Sequence, residues 1–227
     1  MNGAHGRGQS RWLAAGLVIL GAACSDIATP IRNDFYEWRL ITPAASGGGV
    51  DSLAFHWPAD RLPVRVWVED SLDLPTNMPP AIAAWRQAFL YGEFDAVVVS
   101  DSTTADVIAR AGAAPGVQFA RTRLHSALAP ECTGATDLAI SPDHRDLQLP
   151  VRMYVDSRAA QTDPNLASCL ALTTVHELGH ALGIWRHSAD STDVMFGDPV
   201  VPVPSESDVE TAQILYHFTP NVEPVGP

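Results

Sequence analysis

The sequence predicts a single α+β domain, and three observations carry that reading. Stretches at 64–68 and 151–155 alternate apolar and polar side chains, as half-buried strands do. A helical pattern follows the second of them, with Gly183 placed to stop it, and Ser205-Glu206-Ser207-Asp208 opens another helix toward the C-terminus. In chain order, residues 24–60 lack periodicity and hold a Ser-Gly-Gly-Gly run at 46–49, so they are expected to be a tether and lead-in segment ending in a short strand at 53–57. The domain proper is expected over 61–218, with 219–227 as a tail. Pro79-Pro80 opens a helix over 81–90, whose Ile82, Trp85, Ala88 and Phe89 share one face. Strands are expected at 96–99, 106–109, 117–123 and 136–140, although Gly and Pro break up the region 112–150. Asp163-Pro164 supplies an N-cap and a first-turn proline for a helix reaching Leu182. The last helix should bury Val209, Ala212, Ile214, Leu215 and Phe218. The chain has no internal repeat and no second full domain.

Residues 1–23 contain the three parts of an export signal: Arg7 and Arg11, an apolar run over 12–23, and small residues before Cys24. That run falls short of the about 20 residues a bilayer crossing needs. Leu20-Gly21-Ala22-Ala23-Cys24 resembles a bacterial lipoprotein box, with Leu20 one place further upstream than usual. Lipidation of Cys24 is the expected membrane anchor, and ordinary cleavage after Ala23 is the alternative. The expected location is the cell envelope or the exterior. Outside the cell an even pair of cysteines favours a bond, so Cys132 and Cys169 are expected to form a disulfide. Closing a loop of that length contributes roughly 4 kcal/mol in the chain-entropy model. A net charge of −12 makes the body repel phosphate and excludes nucleic acid as a partner, while 46% hydrophobic residues exclude a disordered chain. A monomer is expected.

The chemistry is concentrated at 176–196, HELGHALGIWRHSADSTDVMF. His176 and His180 lie one helical turn apart on one face, so both imidazoles reach one metal ion with Glu177 beside them. Gly183 ends the helix and His187 follows within a short loop. Three nitrogen ligands and an open position are what a catalytic zinc requires. If His176 and His180 only filled the core, they would duplicate Leu178, Ala181 and Leu182, which already supply the apolar positions.

HELGHALG, the following His187-Ser188 and Met195 resemble the metzincin clan of zinc metalloproteases, and most closely its matrixin branch. The likeness extends over about 61–218, through a first helix, a strand before the metal helix and a C-terminal helix. It implies a twisted mixed sheet, a zincin-like fold, one catalytic zinc held by His176, His180 and His187, and a tight turn at Met195 beneath it. The implied activity is that of an exported endopeptidase hydrolysing peptide bonds through a zinc-bound water, with Glu177 as general base and acid. A peptide or protein substrate would lie along an edge strand such as 117–123, its side chain in a pocket walled by 199–201. One departure touches a ligand. The clan places two residues between the glycine and the third histidine, but here Ile184, Trp185 and Arg186 intervene. Arg186 takes the strict position and has no lone pair to offer. His187 is the expected ligand, with Asp190 and Asp193 as fallback oxygens. The central loop holds only His125 and His144, so a second zinc is not expected. Calcium at Asp137, Asp143, Asp146 and Asp156 is possible but not expected, solvated charge being the simpler reading. His56 and His217 are expected to be ordinary surface or core histidines. No cysteine latch is visible, since Cys24 is the only cysteine ahead of the domain. Two other functions fit the same residues: a zinc-stabilised surface binding protein without turnover, and a zinc hydrolase of cell-wall peptide amides.

Overall fold

The computed structural model describes residues 35–115, 122–126, 132–157 and 165–226, with backbone alone at 122–126. The export signal, Cys24, the Asp163-Pro164 helix start, residues 117–121 of an expected strand and the side chain of His125 lie outside the described residues.

A seven-stranded mixed sheet forms the body. β3 (Val64–Val68), β4 (Ala96–Val99), β5 (Val107–Ala111), β6 (Thr122–Ser126), β7 (Cys132–Ile140) and β8 (Asp146–Ser157) are ordered β4-β3-β5-β8-β7-β6, and β9 (Glu223–Val225) pairs with β8. β3, β4, β5, β8 and β9 run parallel, while β7 is antiparallel to both β8 and β6. β1 (Leu40–Pro43) and β2 (Val50–Leu53) form a separate antiparallel pair. Three helices complete the mixed architecture: α1 (Leu74–Arg86), α2 (Leu166–Leu182) and α3 (Glu206–His217). None of the described helices is long and apolar enough to cross a membrane.

β3 stands at the expected 64–68, and the expected strand at 151–155 lies within β8. The edge region expected at 117–123 is described only from 122, as terminal strand β6.

Four expectations are corrected. Pro79 and Pro80 lie inside α1, which begins at Leu74 with Pro75 in its first turn. An interior proline costs about 3 kcal/mol. Leu74 and Met78, both fully buried, each return roughly 1.5–3 kcal/mol, so tertiary packing overrides the local start signal. The helix ends at Arg86, leaving Leu90 exposed beyond it. The second correction concerns 24–60. From residue 35 the chain is part of the compact unit: Trp38, Leu53, Phe55 and Trp57 are buried in the main core. The strand expected at 53–57 is instead β2, followed by an extended stretch whose aromatic side chains do the packing. Thirdly, Phe218 is 42% exposed, because α3 stops at His217 and Phe218 packs edge-on against Trp38 at the surface. Lastly, 219–227 is no tail, because Val222 is fully buried in the main core and β9 pairs with β8.

α2 is the central helix. Its residues 173–182 are all buried, enclosed between the sheet and α1. The Trp85 indole of α1 donates to Val175 O at 2.8 Å, and the Trp57 indole to Ala181 O at 3.0 Å, so indoles from outside fix its height. Cys132 on β7 and Cys169 on the first turn of α2 form a disulfide with Cα atoms 6.0 Å apart. At the other end Gly183 adopts φ 122°, and a Cβ there would lie 2.1 Å from Phe55 O, so only glycine lets the chain turn that close to the 54–57 stretch.

Candidate metal centre

His176 and His180 sit one turn apart on α2 and are fully buried. Their Nε2 atoms are 3.1 Å apart, and His180 Nε2 is 3.2 Å from His187 Nε2. The three imidazoles form a group able to hold one metal ion. The hydrogen bonds fix which nitrogen points inward. His176 Nδ1 donates to Val194 O and His180 Nδ1 to Ile184 O, both at 2.6 Å. A carbonyl only accepts, so each Nδ1 carries the proton and each Nε2 presents a lone pair. Two such lone pairs 3.1 Å apart repel unless a cation lies between them. Burial pushes His176 down to about 3 and holds His180 well below 6.5, where the neighbouring imidazoles lower it further. Both rings are therefore neutral at neutral pH, the state metal binding requires.

His187 reaches the group from a loop. Ile184 and Trp185 are buried, Trp185 stacks on Phe55 with centroids 5.6 Å apart and planes 3° from parallel, and its backbone N–H donates to Trp38 O at 2.8 Å. Arg186 faces outward. The loop thus runs from a buried anchor through an exposed arginine, and His187 arrives beside His180. Downstream, Ser188 N donates to Met195 O at 2.9 Å and closes the loop. The fallback oxygens are used locally. Asp190 accepts from Thr192 N and Oγ1 at 2.8 Å each, and Asp193 accepts from the hydroxyls of Ser188 and Ser205.

Met195 is fully buried, and its side chain packs against Gly179 of α2. A Cβ on Gly179 would lie 2.3 Å from Met195 Sδ and 2.7 Å from Trp85 Cζ2, so the glycine inside the motif is what admits this contact. Asp208 holds the turn at 194–195, accepting from Val194 N at 2.7 Å, Met195 N at 3.3 Å, Ser205 N at 2.9 Å and Tyr36 Oη at 2.7 Å. Desolvation raises its pKa despite those donors. Because Val194 offers its carbonyl to His176, one residue separates this carboxylate from a ligand's orienting bond. Sequence reasoning had Asp208 only as a capping residue, which it also is. Tyr36 gave no signal at all, since its role depends on a contact 172 positions away.

Glu177 is fully buried, and its Oε2 accepts from Thr136 Oγ1 of β7 at 2.6 Å. A groove of about 610 Å³ runs between the start of α2 and the segment after Met195, lined by Asn165, Ala167, Ala171, Leu172, Val200 and Pro202 among others. The wall expected at 199–201 contributes Val200 to it.

The other described histidines have partners within the fold. His144 bonds Asp51 at 2.7 Å, His56 contacts Trp57 O and Phe218 O at 3.2 Å, and His217 lies 3.8 Å from Glu93. Asp137 corrects the expectation of a solvated charge: it is 3% exposed on β7, in register between Arg123 and Arg152. Asp143 does stay exposed, in a turn where Ser141 bonds it. No family model matches this chain, and no curated protein matches it.

Proposed function

We propose that the protein is an exported zinc-dependent endopeptidase of the metzincin type, matrixin-like, with His176, His180 and His187 as ligands and Glu177 as general base and acid. One observation carries this reading: three imidazole nitrogens converge at 3.1 and 3.2 Å beside a buried glutamate. Tetrahedral zinc with bonds of about 2.0–2.1 Å separates its ligand atoms by about 3.3 Å, so the donor set suits zinc in both chemistry and spacing. When bound, the ion supplies a Lewis acid that polarises a peptide carbonyl and acidifies a water. Glu177 takes the proton of the attacking water and returns it to the departing amide nitrogen. His176 and His180 keep their rings fixed through their Nδ1–H bonds to backbone carbonyls.

Met195 takes the part of the clan's turn methionine, an apolar floor that does not ligate. The groove beside α2 is the natural place for a substrate side chain, and its lining by Ala167, Ala171, Leu172 and Val200 favours an apolar one. The signal-like N-terminus and the Cys132–Cys169 bond both support export, with Cys24 as the lipid anchor. A zinc-stabilised binding protein would have no use for a carboxylate buried next to its ligands. Casein hydrolysis by the zinc-loaded protein, compared with Glu177→Ala, tests the proposal. Hydrolysis that falls about 10³-fold in the variant supports it, and equal rates in both proteins refute it.

A further inference from the structure

The face of β7 turned toward α2 reads Cys132, Gly134, Thr136 and Leu138, every second residue of the strand. Cys132 is bonded to Cys169 of α2 and Leu138 belongs to the main core, so this is an interior face. Two of its positions depart from the apolar filling that an interior face calls for, and both lie against the same side chain. Thr136 is fully buried, and its Oγ1 is 2.6 Å from Glu177 Oε2 but 3.3 Å from Glu177 O, so its single proton goes to the carboxylate. Gly134 supplies the clearance: a Cβ there would lie 2.1 Å from Glu177 Oε1 and 2.6 Å from its carboxyl carbon. Glycine in a strand interior is otherwise unfavourable, having no side chain to pack, and marks close approach of another group. The backbone of both positions is tied into the sheet, with Gly134 opposite Val155 and Thr136 opposite Met153.

We infer that Thr136 is a positioning residue for Glu177, holding one carboxylate oxygen by its hydroxyl while Gly134 leaves room for the other. This rests on the peptidase reading above for its functional meaning, though not for the contact itself. A carboxylate on a glutamate has three rotatable bonds, and one charge-assisted bond from a rigid strand fixes the last of them. Valine has the same shape as threonine without the hydroxyl. Serine keeps the hydroxyl and loses only a methyl group.

Two measurements test the inference, one of them independent of activity. In metal-free protein, urea unfolding of wild type, Thr136→Val, Glu177→Leu and the double variant forms a double-mutant cycle. Thr136→Val should lower the urea midpoint where Glu177 is present and leave it unchanged or raised in the Glu177→Leu background. Equal shifts in the two backgrounds would overturn the contact. In zinc-loaded protein, Thr136→Val should lose about 10- to 100-fold in kcat with KM and bound zinc unchanged, and Thr136→Ser should recover to within about threefold of wild type. Gly134→Ala should lose at least as much as Thr136→Val, because the added methyl displaces the carboxylate. A Thr136→Val enzyme with full kcat, or a serine variant as impaired as the valine, would overturn the positioning role. A wild-type protein without hydrolysis would refute the peptidase reading and the positioning role with it, and the urea cycle would still decide the contact.

Discussion

His176 and His180 are carried by a helix, and His187 by a loop, and the three are held by different kinds of interaction. The helical pair is fully buried, locked into one tautomer by carbonyls of Val194 and Ile184, and neutral because desolvation makes protonation costly. His187 is less buried, and its approach depends on the packing of its neighbour Trp185 against Phe55. Helical spacing makes the first two positions a matter of periodicity. The third position is a matter of how the loop after Gly183 packs, which local spacing does not set.

Removing either helical histidine should have the largest effect. Four-ligand structural zinc sites hold the ion with about 10–16 kcal/mol, roughly 2.5–4 kcal/mol per ligand, so His176→Ala or His180→Ala should weaken zinc about 10²- to 10³-fold in a chelator competition assay. If either variant binds zinc as wild type does, the helical pair is not the anchor. Next comes Trp185→Ala. Emptying that site should cost about 3–5 kcal/mol of stability by urea unfolding. It should also weaken zinc, since the stack on Phe55 is what returns His187 to the group; an unchanged affinity would separate the loop's packing from its ligand.

Asp208→Asn should have a smaller effect, about 2 kcal/mol, because the amide replaces one acceptor oxygen with a donor facing backbone N–H groups. Through Val194 the same change should loosen His176 and reduce zinc affinity about tenfold, in the range of ligand-orienting partners. The smallest effect per step is that of pH on the metal-free protein. His176 has a folded pKa of about 3 against 6.5 in a free chain, so the unfolded state binds more protons throughout that window. Stability is then fully present above pH 6.5 and is lost as pH falls toward 3, by up to about 1.4 kcal/mol per pH unit for each such histidine. A His176→Phe variant should show a shallower decline in thermal midpoint over that range, and an identical one would mean that His176 titrates freely.

The same contrast explains how much of the molecule was legible in the sequence. Residues whose role is set by local spacing were readable: β3 by alternation, His176 and His180 by helical turn, Gly183 as the helix stop, and α3 by its capping box. Residues whose role is set by distant contacts were not. Pro79 and Pro80 signalled a helix start, and only the burial of Leu74 and Met78 explains why α1 begins a turn and more earlier. The segment from residue 35 looked like linker because its aromatic residues follow no period, yet Trp38, Phe55 and Trp57 pack into the core against Trp185 and α2. Thr136 and Gly134 carry no motif, and their meaning depends on Glu177 lying opposite them, 41 positions away from Thr136.

The central claim is that one ion is held by all three imidazoles, His187 included. Zinc-edge X-ray absorption on the loaded protein and on His187→Ala tests it most directly. The account predicts three imidazole nitrogens at about 2.0–2.1 Å in the wild type and two in the variant. Identical imidazole counts in the two proteins would contradict it and hand the third position to another ligand, with Asp190 and Asp193 the nearest acidic residues in the sequence.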